Sequence, residues 1–258
     1  MKPPPFEYRR PASLEEALAD LAAGGEDAKV LAGGQSLVPM LAFRLARPSV
    51  LVDINRTGLD RLEVTPDGIR VEALVRQRDL EREGPAPLPE ALRLVAHPAI
   101  RNRGTVVGSI CHADPAAELP AVALALDGEL EIHGPSGRRL VPAVRLFTGP
   151  LTTVLEASEV ATAVRLHPPA GWRWRVLEVS RRAGDFALVG VVAGTSAARD
   201  VGRVAVFGAG PTAFRVDGHP EELAELAMAA CRPVDDIHAP AGYRRGLVGE
   251  LTRRALAV

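Results

Sequence analysis

The chain has 258 residues, 47% apolar and 24% charged, with a formal charge of −1. That length can bury one large core or two modest ones. The near-neutral balance gives no global reason to expect nucleic-acid or membrane binding, and 4% aromatic residues argues against a base-stacking platform. Cys111 and Cys231 stand far apart in no CxxC pattern, which argues against a disulfide framework or an iron–sulfur cluster of the chain's own. Met1 to Arg10 is Pro-rich and charged, without the apolar region of a secretory signal, and no apolar run approaches a membrane span; a cytoplasmic protein is expected.

In chain order, Ser13-Leu14-Glu15-Glu16 reads as a capping box opening a helix from Leu14 to Ala22 that stops near Gly24-Gly25. Lys29 to Leu31 is a short buried strand running into Ala32-Gly33-Gly34-Gln35-Ser36. A helix carrying Leu37, Met40, Leu41 and Leu45 follows, then a strand from Val50 to Ile54. Pro66-Asp67-Gly68 turns a hairpin between Leu62–Val64 and Ile69–Val71. Helices at Gln77 to Glu83 and Leu88 to Val95 lead to a dense segment, His97 to Ser109. The helix expected next, Pro115 to Leu126, has Pro in its first turn. A hairpin, Glu129 to Leu140, and a strand within Val154 to Leu166 precede a linker, His167 to Gly171. Beyond it the pattern changes. Strands at Trp174–Val179, Ala187–Ala193 and Arg203–Phe207, a possible fourth at Phe214–Val216, and helices at Glu221–Ala230 and Ala241–Ala255 suggest a small α+β domain.

Several segments carry chemistry. In Ala32 to Ser36, two glycines after a strand let the backbone curl so that several N–H groups converge, as a pyrophosphate requires. A plain strand-to-helix turn explains the same segment. Gly104 to Ser109 repeats the theme beside a strand: Thr105 and Ser109 can donate to phosphate or ribityl oxygens, and the carboxylates of Asp114 and Glu118 can accept from ribose hydroxyls. An ordinary loop with surface carboxylates is the alternative, and solvated loop arginines the alternative to phosphate pairing by Arg101 and Arg103. Gly208-Ala209-Gly210-Pro211-Thr212-Ala213 matches the dinucleotide fingerprint GxGxxA in form only. Pro211 and the Phe214 strand sit where the helix should run, so this is read as a turn between strands. None of the six histidines is spaced as a metal ligand with another His or Cys, and no nucleophile elbow or GK[ST] loop is present. No catalytic residue is assigned, which suits a chain whose reactivity comes from a cofactor.

The order and spacing of these pieces resemble the FAD-binding medium subunit of the molybdenum hydroxylases, the carbon monoxide dehydrogenase and xanthine dehydrogenase family. Phe6-Glu7-Tyr8 with Pro11 and Ser13 to Ala17 looks like the family's opening, and Lys29 to Met40 resembles its first flavin loop. Ile100 to Ser109 resembles the second loop, continued by His112 to Pro120. Phe147-Thr148-Gly149, Arg181 to Ala187, Asp235 to His238 and Tyr243-Arg244-Arg245 look like later signatures. The resemblance implies an α+β fold: a two-subdomain FAD-binding domain over 1–170 (PCMH-type, not Rossmann), then a small domain over 171–258 with a three-stranded antiparallel sheet and helices. It implies FAD held by Ala32, Gly33, Gly34, Gln35, Ser36 and Leu37 and by Thr105, Val107, Gly108 and Ser109. Glu118 would lie near the adenosine ribose, with Asp114 a further candidate on its chemistry, and Asp185-Phe186 in a segment that approaches the flavin ring; Trp172, Trp174 and Phe186 are candidates to cover that ring, with core packing an equal alternative for each.

The same resemblance implies a large partner subunit holding the molybdenum cofactor and a small partner with [2Fe–2S] clusters. Electrons would pass from the small partner to this chain's FAD and on to an external acceptor such as NAD⁺, a quinone or O₂. The chain departs from the family at one point. Its second loop usually reads Thr-Ile-Gly-Gly, and Val107 stands for the first Gly, adding a Cβ near phosphate and making a positive φ costly. The alternatives are therefore a non-catalytic interaction subunit with weak or lost FAD binding, and a self-contained flavin oxidase, for which the sequence offers no acid–base residues.

Overall fold

A computed structural model describes residues 2–257. The chain begins with a small parallel sheet: β1 (Glu7–Arg9), β2 (Ala28–Leu31) and β3 (Val50–Asp53), in the order β1-β3-β2. Helix α1 (Leu14–Gly24) crosses from β1 to β2. Its capping box forms, with Ser13 Oγ accepting from the Glu16 amide at 3.2 Å. Glu16 reaches back one residue further than the motif predicts, accepting from the Ala12 amide at 2.7 Å. Ala17 and Leu21 on one face of α1 bury against Ala28, Val50, Val52 and Ile54. Between β2 and β3 lies α2 (Leu37–Ala42), which stops before the predicted Leu45 because Arg44 takes a left-handed conformation, φ 59°.

The next subdomain is built on a five-stranded antiparallel sheet. The predicted hairpin forms as β4 (Leu62–Thr65) and β5 (Gly68–Glu72). Helices α3 (Gln77–Glu83), α4 (Leu88–Leu94), α5 (Pro98–Arg101), α6 (Val106–His112) and α7 (Glu118–Ala125) intervene before the hairpin of β6 (Glu129–Gly134) and β7 (Gly137–Pro142). A short pair, β8 (Phe147–Gly149) and β9 (Thr152–Thr153), precedes β10 (Val160–Leu166), which enters the middle of the sheet to give the order β4-β5-β10-β6-β7.

Helix α7 starts at Glu118, not at the predicted Pro115. Asp114 Oδ1 accepts from the Ala116 amide at 2.9 Å, closing a turn that holds the chain out of the helix. The Pro115 carbonyl is taken by the Gly208 amide at 2.7 Å, and Ala117 is extended (ψ 145°). Every residue of α7 is buried, so it is a central rather than an amphipathic helix.

Past the His167–Gly171 connection the sheet changes. Strands β11 (Arg173–Ser180), β12 (Ala187–Thr195), β13 (Gly202–Phe207) and β14 (Phe214–Gly218) form one antiparallel sheet in sequential order. The expected three-stranded sheet is thus corrected to four strands, because Phe214–Gly218 pairs with Gly202–Val206. The GxGxxA segment is the turn between β13 and β14, with Gly208 at φ 76°. One face of this sheet, through Val176, Val192 and Phe207, shares a core with Leu119, Val122 and Leu124 of α7. Helices α8 (Leu223–Ala230) and α9 (Ala241–Leu256) cover the other face. Two arginines grip the C-terminal end of α7 from this sheet. Arg203 donates to the Ala125 carbonyl at 2.8 Å and Arg215 to the Leu124 carbonyl at 3.1 Å, and both pair with Asp127.

Candidate functional site

Two glycine turns far apart in sequence cross in space. A Cβ added to Gly33 would stand 2.6 Å from the Arg103 carbonyl oxygen, 2.8 Å from Gly104 Cα and 2.9 Å from the Thr105 nitrogen. All three are backbone atoms, so only glycine permits the crossing. Gly34 beside it has φ 74°, which favours glycine for a second reason. The crossing is clasped from behind. Asn55 donates to the Ala32 carbonyl at 2.9 Å and accepts from Arg76 at 2.7 Å, while Arg76 also donates to the Arg103 carbonyl at 2.7 Å. Burial lowers the Arg76 pKa, and the nearby Arg103 lowers it further.

The second turn ends in a helix, not in the strand expected beside it. Thr105 caps α6 by accepting from the Gly108 amide at 3.1 Å, and a Cβ on Gly108 would fall 2.5 Å from that hydroxyl. Val107 lies within the helix and is 2% exposed, its side chain in the core. It is not among the residues with positive φ, so the strain expected of a valine here does not arise. Among the described residues, the amides of Gly34, Gln35, Ser36 and Val107 have no hydrogen-bond partner within the chain. Helices α2 and α6 are only 6 and 7 residues long, so these free donors, more than aligned dipoles, make the site attractive to an anion.

The turns form part of the wall of a cavity of about 740 Å³. Every residue predicted for cofactor binding lines it: Ala32 to Leu37, Thr105, Val107 to Ser109, Asp114, Glu118, Asp185 and Phe186. Asp185 and Phe186 come from the β11–β12 connection. That connection is seated by Gly184, where a Cβ would run into the His97 ring, and Phe186 stands 70% exposed at the rim. Of the two readings of the tryptophans, core packing is the one the structure bears out. Trp172 and Trp174 stack on each other with centroids 5.4 Å apart, beneath Arg203, and do not line the cavity. Arg101 is corrected: it is buried, paired with Glu81 at 2.9 Å and bonded to the Val95 carbonyl. Sequence reasoning missed Gln77, Leu151 and Thr152 in the wall.

Glu118 gives the wall an unusual acid. Burial, assisted by the charges of Glu178 and Asp114, pushes its carboxyl up to about 8, so it is mostly protonated at neutral pH. Glu178, on β11, is raised to about 7 by burial, and its Oε2 has no partner. A neutral carboxyl both donates and accepts, which suits a sugar hydroxyl. Among the described residues no group of three or more His, Cys, Asp or Glu side chains is placed to hold a metal ion, and no helix is long and apolar enough to cross a membrane. A glycine cradle that a Cβ would fill, free amides on one side and a protonatable carboxyl on another together fit a dinucleotide cofactor such as FAD.

Comparison with known proteins agrees. Residues 4–169 match the family described as the FAD binding domain in molybdopterin dehydrogenase. The chain is 43% identical to the nicotine 6-hydroxylase medium subunit of Paenarthrobacter nicotinovorans, covering 99% of this chain and 98% of that one. It is 37% identical to the carbon monoxide dehydrogenase medium chain of Hydrogenophaga pseudoflava, covering 99% and 97%. In structure it superimposes on a chain of the Hydrogenophaga pseudoflava carbon monoxide dehydrogenase that lacks the Mo-pyranopterin moiety, with a TM-score of 0.94 at 35% identity, covering 100% and 98%. It also matches quinoline 2-oxidoreductase from Pseudomonas putida 86, with a TM-score of 0.92 at 36% identity, covering 100% and 97%. The chain belongs to the FAD-binding medium subunits of the molybdenum hydroxylases, and is an oxidoreductase component whose cofactor is FAD.

Proposed function

We propose that the crossed glycine turns hold the diphosphate of FAD, and that the chain serves as the electron relay between an iron–sulfur subunit and an acceptor outside the complex. The reading rests on one observation above the rest: the free amides of Gly34, Gln35, Ser36 and Val107 open on the same cavity where Gly33 meets Gly104. Bound FAD supplies the chemistry, taking up electrons singly and giving them up singly or in pairs. The chain's residues do the positioning. Ala32 to Leu37 and Thr105 to Ser109 fix the phosphates, and the hydroxyls of Ser36, Thr105 and Ser109 add donors. Asp114 and the neutral Glu118 hold the adenosine ribose. Asp185 and Phe186, on a connection seated against His97, cover the flavin ring and limit water.

The partners in this reading are a molybdenum-cofactor large subunit that oxidises the organic substrate and a small subunit with [2Fe–2S] clusters. The outside acceptor is NAD⁺, a quinone or O₂, and the assembly is cytoplasmic. Residues 1–170 form the FAD-binding domain and 171–258 the C-terminal flavoprotein domain. Replacing Gly33 and Gly34 by Val tests the site: the protein should lose its yellow colour and visible absorbance, and a variant that keeps both refutes the placement.

A further inference from the structure

Gln77, the first residue of α3, has a side chain that the fold does not use. It is 4% exposed, and its Oε1 meets no hydrogen-bond donor among the described residues. Its backbone amide donates to the Gly104 carbonyl at 2.9 Å, which fixes the start of α3 against the second glycine turn. The side-chain amide lies against the same glycine: a Cβ on Gly104 would be 2.8 Å from Oε1 and 3.1 Å from Cδ. Gly104 is also where the first turn crosses, with its Cα 2.8 Å from the Cβ position of Gly33. Gln77 and Gly104 both line the cavity.

A buried amide without a partner is a cost to the fold, and a leucine of similar size would fill the space without it. An occupant of the cavity that supplies the partner offsets that cost. A half-turn about the Cγ–Cδ bond exchanges the oxygen and the NH₂ group, so the amide can present a donor at little steric expense. Phosphate oxygens only accept, and a donor is what the crossing can use.

We propose that Gln77 is a cofactor-positioning residue whose side-chain N–H donates to a diphosphate oxygen of FAD where the two glycine turns cross. This rests on the reading of the cavity as the FAD site. The test uses the full chain, stripped of flavin and titrated with FAD, as wild type, Gln77→Leu and Gln77→Glu. The thermal midpoint of each flavin-free protein is measured alongside.

Gln77→Leu should melt at or above the wild-type temperature while its Kd for FAD rises about tenfold, the worth of one hydrogen bond to a charged acceptor. Gln77→Glu keeps the shape but sets a carboxylate against the phosphates. Its Kd relative to wild type should rise about a hundredfold at pH 8 and fall again towards pH 5 as the carboxyl protonates, the ratio removing the pH dependence that Glu118 and Glu178 give both proteins. A purely structural glutamine would not produce that pH dependence. Should Gln77→Leu fail to fold, the pH profile of Gln77→Glu decides alone. Wild-type affinity in the variants, with FAD still bound tightly by the wild type, overturns the role of Gln77 and leaves the site standing. Absence of FAD binding by the wild type overturns the site itself, and the role of Gln77 with it.

Discussion

Replacing Glu118 by Gln should make the flavin-free chain more stable, increasingly so as the pH rises above 4.5. The carboxyl is 7% exposed at the start of α7, and burial with the neighbouring Glu178 and Asp114 holds its pKa at about 8 against an ordinary 4.5. For a group raised in the folded state, the stabilisation is complete below pH 4.5, is lost steadily as the pH rises towards 8, and changes no further above that. Each pH unit of that gap corresponds to about 1.4 kcal/mol, so the full loss is on the order of 5 kcal/mol, with about 3 kcal/mol already gone at pH 7. Glutamine copies the protonated acid and does not titrate. Urea denaturation of wild type and Glu118→Gln from pH 4.5 to 8.5 should therefore give curves that meet at the acid end and diverge by several kcal/mol at the alkaline end. Glu178, raised to about 7, adds a slope to both proteins, but its charge is coupled to that of Glu118, so it cancels from the difference only in part. Parallel curves would refute the argument, because they would mean that Glu118 ionises as easily in the folded protein as in the unfolded one.

Glu131 should behave in the opposite sense. Burial alone would raise its pKa, but hydrogen bonds and charge from Arg138, with help from Arg70 and Arg165, hold it down to about 2. Its stabilisation is present above pH 4.5 and lost as the pH falls towards 2. Glu131→Gln should cost about 2 kcal/mol at pH 7, a figure reduced because solvent screens the half-exposed Arg138, and the cost should vanish in acid melts. Thr105→Val removes the α6 cap and leaves the Gly108 amide without its acceptor, which should lower stability by about 1 kcal/mol in the same melts.

What the sequence made legible was local chemistry. The capping box at Ser13, the Pro66–Gly68 hairpin and the strands on either side of Gly208 depend on residues within a few positions of each other, and they form where expected. Rejecting the GxGxxA segment as a nucleotide loop succeeded for the same reason, since Pro211 next to a strand is a local contradiction. The cavity wall was legible in a different way. Gly33, Gly34, Gly104 and Gly108 mark places where a backbone, a buried side-chain amide or a capping hydroxyl comes too close for a side chain or φ is positive, and the family resemblance supplied which turns belong together.

Most of the misses have a long-range cause. The start of α7 was drawn too early because the partner of the Pro115 carbonyl, Gly208, lies on the other side of the linker. Sequence alone leaves Trp172 and Trp174 between flavin cover and core packing, and only the stacking under Arg203, contributed by a distant strand, decides for packing. Gln77 drew no notice, since a glutamine opening a helix is unremarkable until Gly104 is seen beneath it. Val107 was weighed as a loop residue, whereas within α6 its side chain and its amide point to separate tasks.

The seating of Gly184 against His97 sets an order of events during synthesis. The stretch that completes the chamber is made more than seventy residues after Thr105, so a nascent chain that has left the ribosome only as far as the linker carries an open trough with no roof. Such a chain already holds both glycine turns but lacks Asp185 and Phe186, so on the proposed reading it should release flavin faster than the full chain.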